Sequence, residues 1–444
     1  MNEQMLAISQ LEDRISDDRS CRPGGPALKV GFVFPPMWTP HSDGSLQIWN
    51  REVTRRLSKS CEVLVYSGLF SFEPQECVDG VRYRRFSTRW DQRFLKRFQF
   101  LHKALGIRRP LFATDLWFPL YAWKVAWDLR KQNCDVVHVY YYPQLASLIK
   151  FFNPAVRVIL NMHGEWLTQI DFTNLEARLE KIDLVVSCSA FITESTRARF
   201  PGIAHRCRTA PMGLSPDTFS GDFQTVPAEH SSPRRLLCVG RISPEKGVHI
   251  LLDAFELILR KYPDATLTIV GPEWIAPREG LVDVCLAKEV IAGLAPYYEG
   301  SYLSQLQQRL SPEAAGRITF AGLVAHREVA DFYAKADIYV SPSLYESFGM
   351  SVIEAMAAGL PVVAARVRSF EDLISDGHNG LLVKAADPSA LAEGVIQLFE
   401  NDSLRKSISS ASSEIICEQF SWEKITSILT QMYHEVSDTK DALR

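Results

Sequence analysis

The nine cysteines are scattered singly, with no Cys-x-x-Cys pair and no metal-ligand spacing. That pattern excludes a zinc ribbon or a secreted disulfide framework and points to reduced thiols in the cytoplasm. No run reaches the roughly 18 apolar residues of a membrane-spanning helix. The opening stretch MNEQMLAISQLEDRISDDRS carries acids and no long apolar core, so it does not read as a signal peptide. Neither charge sign dominates: the net charge of -3 gives no case for bulk nucleic-acid binding. Solenoid-type repeats and low-complexity segments are also missing. What is present is a globular composition, 46% hydrophobic and 23% charged, over 444 residues, enough for two or three domains.

From Leu28 onward short apolar runs alternate with helical patterns. LKVGFVFPP, CEVLVYS, DVVHVYY, RVILNMHG and DLVVSCS read as strands, and LQIWNREVTRRLSKS reads as a helix after the first. A second series starts at LLCVGRI and continues through ATLTIVG, RITFAG, DIYVSPS, PVVAA and GLLVKAAD. This alternation predicts an α/β fold with two parallel, doubly wound sheets. Residues 1–27 are expected to be a mobile tail, 28–212 the first domain and 213–234 a Pro- and Ser-rich linker. Residues 235–412 form the second domain, and 413–444 a helical segment crossing back to the first. Two such domains imply a cleft.

The most informative stretch is Ser341 to Val363, SPSLYESFGMSVIEAMAAGLPVV. Its two carboxylates, Glu346 and Glu354, bracket a turn from a buried strand into an Ala- and Met-rich helix. That turn belongs at the carboxyl edge of a parallel sheet, where open α/β sheets bind ligands. The free N–H groups of Phe348, Gly349 and Met350 would open the helix, a ready anion site. An anion cradle between hydroxyl-seeking acids points to a phosphorylated sugar. In VGRISPEKG, Arg241 and Lys246 put two cations at another strand end, as a departing diphosphate requires. Taken alone, such a pair more often marks a solvated turn. His163 follows a strand in ILNMHGEW, placed to orient a sugar hydroxyl or assist proton movement; a lone histidine is otherwise usually structural, which is the reading for His138.

Glu346 with Glu354, the segment VGRISPEKGVHILLDAF and the split architecture resemble retaining glycosyltransferases of the GT-B fold, family GT4. The resemblance covers about residues 28–440 and is strongest in the second half. It implies two Rossmann-like domains facing across a cleft, with a nucleotide-sugar donor on the second and an acceptor on the first. By the same resemblance Arg241 and Lys246 neutralise the diphosphate in place of a metal, so that no cofactor is needed. Glu346 contacts the transferred sugar, Glu354 the ribose, and the amides of Phe348 to Met350 the phosphate or sugar. The base lies near Val324, with UDP the favoured carrier. Where relatives carry a glycine pair after the first strand, this chain has Asp43-Gly44-Ser45; Gly44 would face the donor, and Asp43 and His163 the acceptor. Arg368 and Ser369 in VRSFED, and Met212 in PMGLSPDTF, also depart from the family pattern.

The resemblance leaves open the acceptor, whether sugar, cyclitol or glycan, the oligomeric state and the role of the 271–316 insert. A catalytically silent GT-B scaffold is the alternative, distinguished by transfer assays. A nicotinamide-dependent dehydrogenase is disfavoured, because no Gly-x-Gly-x-x-Gly follows a strand. Residues 89–109 are basic and aromatic, with Trp90, Phe94, Phe98, Leu101 and Leu105 near one helical face. The favoured reading packs that face on the first domain with the cations outside. Peripheral contact with a membrane, serving a lipid-linked acceptor, is the other reading. LWFPLYAWKVAW reads as core or as an acceptor-pocket wall.

Overall fold

The computed structural model describes residues 28–37, 44–69, 73–104, 109–215, 218, 234–275 and 288–438. Asp43, the tail at 1–27 and most of the 213–234 linker lie outside them. The chain divides into two compact units. One is the described part of Leu11–Gly213 together with that of Trp422–Arg444, and the other is Leu214–Ser421.

The first unit is built on an eight-stranded sheet of order β3-β4-β2-β1-β5-β6-β7-β8. Its strands are β1 (Lys29–Val33), β2 (Glu62–Gly68), β3 (Gln75–Val78), β4 (Val81–Phe86), β5 (Val136–Tyr140), β6 (Arg157–Met162), β7 (Leu184–Ser187) and β8 (Cys207–Thr209). All pairings are parallel except β3 with β4. That hairpin was not anticipated. It turns on Asp79 and Gly80, both at positive φ, the arrangement a two-residue hairpin favours.

Helix α1 (Ser45–Leu57) covers the sheet because Leu46, Trp49, Val53 and Leu57 recur at helical spacing and are all buried. Each such side chain contributes about 1.5–3 kcal/mol when fully buried. Arg55 and Arg56 in its last turn complement the helix dipole. Helices α2 (Arg89–Ala104), α3 (Pro119–Gln132) and α4 (Pro143–Phe152) follow one another around the unit, and α5 (Trp166–Gln169), α6 (Leu175–Leu179) and α7 (Ala190–Arg199) complete it up to β8.

On α2 the expected packing face is reversed. Asp91 and Leu95 are buried, with Phe98 half-buried, while Trp90 and Phe94 face outward. The cause is the start of α3, whose Leu120 and Tyr121 N–H groups donate to Asp91 at 2.9 and 3.1 Å. Free amides at a helix start need acceptors, and meeting them draws Asp91 inward.

The second unit has a six-stranded, all-parallel sheet of order β11-β10-β9-β12-β13-β14. Its strands are β9 (Arg235–Val239), β10 (Thr266–Val270), β11 (Ile318–Gly322), β12 (Ile338–Ser341), β13 (Val362–Ala365) and β14 (Leu381–Val383). The order reverses between β9 and β12, so the loops after these two strands border a switch point at the carboxyl edge of the sheet. Helix α8 (Val248–Lys261) follows β9. The described part of the 271–316 stretch contains α9 (Lys288–Leu294), α10 (Tyr302–Gln308) and α11 (Pro312–Ala315). It belongs to this unit's core: Tyr302, Leu306 and Ala314 are buried with α8. Beyond it come α12 (His326–Lys335), α13 (Met350–Ala357), α14 (Arg368–Leu373), α15 (Pro388–Glu400) and α16 (Asp402–Gln419). The last helix, α17 (Trp422–Asp438), belongs to the first unit. There it packs on α1, and the Tyr433 hydroxyl lies 2.9 Å from His138 Nδ1.

Candidate active site

In the second unit, the loop after β9 and the loop after β12 meet at the switch point. Gly247 makes this approach possible. It sits at φ +69°, and a Cβ there would collide with the Pro342 carbonyl oxygen. The contact brings Lys246 Nζ to 2.5 Å from Glu346 Oε1, although the residues are 100 apart in sequence. Ser343 Oγ donates to the same oxygen at 3.0 Å.

Arg241 leaves the end of β9 and is held from two sides. Glu245 Oε1 lies 3.2 Å from its Nη2, and the Trp274 ring lies under its guanidinium at 4.7 Å. Glu245 is buried, and Ser243 Oγ donates to it at 2.5 Å. Arg241 Nη1 is buried with no hydrogen-bond partner among the described residues. An unused, desolvated guanidinium donor is costly unless a further acceptor arrives.

Helix α13 opens on Gly349 at φ +109°. A Cβ at that residue would stand 2.5 Å from Phe370 Cε1, so only glycine fits the turn. Phe348 is buried beside it. The first intrahelical bonds are made by the N–H groups of Val352 and Ile353 to Gly349 O, which places the preceding amides at the helix start. Glu354, one turn along, is buried. His326 Nε2 lies 3.1 Å from its Oε1, and the Tyr333 hydroxyl donates to Oε2 at 3.0 Å. A carboxylate accepts about four hydrogen bonds, so Glu354 retains capacity for a ligand. Val324 is half-buried in the segment leading from β11 into α12, two residues before His326.

Sequence reasoning missed the residues that hold the functional groups: Glu245, Trp274, His326 and Tyr333. Glu245 had a signal, being next to Lys246 in a turn. The pairing of His326 with Glu354 had none, because 28 residues separate them and only the fold brings them together.

In the first unit, His163 lies just past β6, half-buried among Trp49, Tyr140 and Tyr141, with ring centroids 5.4 to 6.1 Å away. Neither of its ring nitrogens has a hydrogen-bond partner among the described residues. Burial pushes its pKa down to about 3, so the ring is neutral at pH 7. Gly44 caps α1 without a side-chain bond.

Residues 222–414 match the family model described as Glycosyl transferases group 1, and residues 46–218 match that of Glycosyltransferase Family 4. Spore coat protein SA of Bacillus subtilis (strain 168) is 24% identical over 407 residues, covering 88% of this chain and 95% of the relative. Anabaena Alr3699/HepE, solved in complex with UDP and glucose, is similar at a TM-score of 0.63 and 17% identity, covering 92% of this chain and 100% of that one. Sucrose-phosphate synthase from Thermosynechococcus elongatus gives 0.64 and 19%, covering 93% and 100%. At these identities the two solved structures establish the fold.

Proposed function

Because the chain belongs to the group 1 glycosyltransferases of the GT-B fold, we propose that it moves a hexosyl group from a UDP-sugar to a hydroxyl acceptor. The acceptor is a small-molecule sugar, a cyclitol or a glycan, the anomeric configuration is retained, and no metal takes part. The observation that carries this reading is the Lys246–Glu346 pair at the switch point.

The pair holds one group of each sign for one substrate. On donor binding the Lys246 ammonium turns to the β-phosphate, joined by the unused Nη1 of Arg241. Glu346 is released to accept hydrogen bonds from sugar hydroxyls. The amides of Phe348, Gly349 and Met350 meet the phosphate or sugar, Glu354 takes the ribose hydroxyls, and backbone near Val324 completes the donor site; Gly44 is assigned to the donor on its sequence position alone. The bond from the anomeric carbon to the phosphate oxygen breaks while the acceptor oxygen bonds on the same face. The acceptor proton passes to the departing phosphate oxygen, so UDP leaves as the base. Two fixed cations supply the charge neutralisation that a metal would otherwise provide.

His163 has a pKa near 3, which fits a hydrogen-bonding role toward the reacting hydroxyls rather than a proton carrier at pH 7. Asp43 is assigned to the acceptor on its sequence position alone. The seven free cysteines among the described residues support a cytoplasmic setting.

Replacing Lys246 by Ala is expected to abolish transfer. Wild-type turnover by that variant at saturating donor would overturn the proposal. The anomeric coupling constant of the product, read by NMR, tests retention, and an inverted product refutes it. Unchanged turnover in excess EDTA is the result expected of a metal-free mechanism; loss of activity that added divalent cations restore would refute it.

A further inference from the structure

Among the described residues, ten large hydrophobic side chains are exposed, and six of them lie on α2, α3 and α4. They are Trp90 (67% exposed), Phe94 (42%), Leu120, Trp123 (48%), Trp127 (44%) and Phe151 (78%). These helices are consecutive neighbours. Asp91 pins the start of α3 to α2, and α3 packs along α4. On α3 the indoles of Trp123 and Trp127 stack at 6.2 Å, and on α2 the rings of Phe94 and Phe98 stack at 5.7 Å. Aromatic groups left open on this scale mark an interaction surface.

The charges say what the surface meets. The outward face of α2 carries Arg89, Arg93, Lys96 and Arg97, and that of α3 carries Arg130 and Lys131, all exposed. Every acid of these two helices is withdrawn from that face. Asp91 is buried as the acceptor for the start of α3, and Asp128 is held by a two-pronged ion pair with Arg84. The outer faces of α2 and α3 therefore present indole and phenyl rings among cations, with no exposed acid. A protein partner would ordinarily be met by charges of both signs. Rings interleaved with cations alone fit the interfacial zone of a bilayer, where rings enter the acyl boundary and cations meet phosphates.

Beside Trp123 the surface continues into a cavity of about 660 Å³. Its walls include Trp117, Tyr121, Leu148, Phe151 and Phe152, with Lys181 and the ion pair of Arg178 with Asp115 among the lining residues. The apolar face thus leads inward instead of ending as a flat patch.

We propose that the α2–α3–α4 face of the first unit seats the enzyme on an anionic phospholipid surface, with the rings entering the acyl boundary and the cations binding headgroup phosphates. The proposal does not rest on the transfer reaction and is tested without it. The full chain is sedimented with vesicles of phosphatidylcholine alone and with vesicles of equimolar phosphatidylcholine and phosphatidylglycerol.

Binding to the anionic vesicles, weakened by high salt, is the expected result. The charge-reversal variant Lys96→Glu with Arg97→Glu should bind more weakly, by about fivefold or more for each cation lost. Trp123→Ser with Trp127→Ser should lose binding while its melting temperature, read by circular dichroism, stays that of the parent. Failure of the parent chain to sediment with anionic vesicles would overturn the proposal. So would equal binding by all three proteins, or equal binding to neutral vesicles.

Discussion

Lys246 and Glu346 neutralise each other, and the proposed reaction requires donor binding to separate them. Glu354 is placed differently, with His326 and Tyr333 both directed at it. Glu354→Ala should cost about 1 kcal/mol in urea unfolding, because it removes the acceptor that His326 and Tyr333 share, and should also raise the KM for the nucleotide-sugar. An unchanged KM would remove Glu354 from the ribose. The buried histidines carry a pH signature. Burial holds His138 at about 3, below the usual histidine value of about 6.5. Between those values the unfolded chain binds a proton that the folded chain refuses. Stability from His138 is therefore whole above about pH 6.5 and is lost toward pH 3, by about 1.4 kcal/mol per pH unit. His163 follows the same course. His138→Gln should flatten the fall in unfolding free energy between pH 6.5 and 5 by about one proton's slope; an unaltered slope would refute this.

At the scale of elements, the turn into α13 depends on Gly349. Gly349→Ala forces a Cβ into a left-handed residue and against Phe370, at a cost of about 1–2 kcal/mol from the backbone alone. Its melting temperature should fall, and UDP should protect it less than the parent; full protection by UDP would mean the turn does not touch the donor. Eleven of the fourteen strands were legible because buried parallel strands are short, unbroken apolar runs, and DIYVSPS and PVVAA delimit α13 in the sequence itself; the three-residue β8 (Cys207–Thr209) offers no such run. The β3–β4 hairpin was also written in the chain, as Asp79-Gly80, but its strands lie at a sheet edge where β3 is fully exposed and its apolar signal weak. Helix α2 was misread for a different reason. Its period offers two faces, and hydropathy favours the one with Trp90 and Phe94. The fold buries the one with Asp91, because the need of α3 for acceptors at its start is not written in α2. Asp91→Ala should accordingly destabilise the chain by about 1 kcal/mol, measured by urea unfolding, because the start of α3 loses its acceptor. Equal or greater stability would show that the cap contributes nothing.

For the molecule as a whole, each unit carries its own sheet and core, and the proposed donor groups other than Gly44 lie in the second. UDP is therefore expected to raise the melting temperature more than GDP, ADP or NAD, with a gain of about 2.7 kcal/mol at a hundredfold excess over its Kd. A shift with NAD and none with UDP would contradict the proposed donor. The first unit is assembled from two separated lengths of chain, since α17 lies against α1 and completes the surroundings of His138. During synthesis its sheet is made first, yet the helix that covers it is translated only after residues 214–421. The nascent first unit must wait with that face of α1 and the Tyr433 site uncovered while the second unit already has all its residues. The order of emergence from the ribosome is thus the reverse of the order of completion, and a chaperone would find its substrate in the half that was made first.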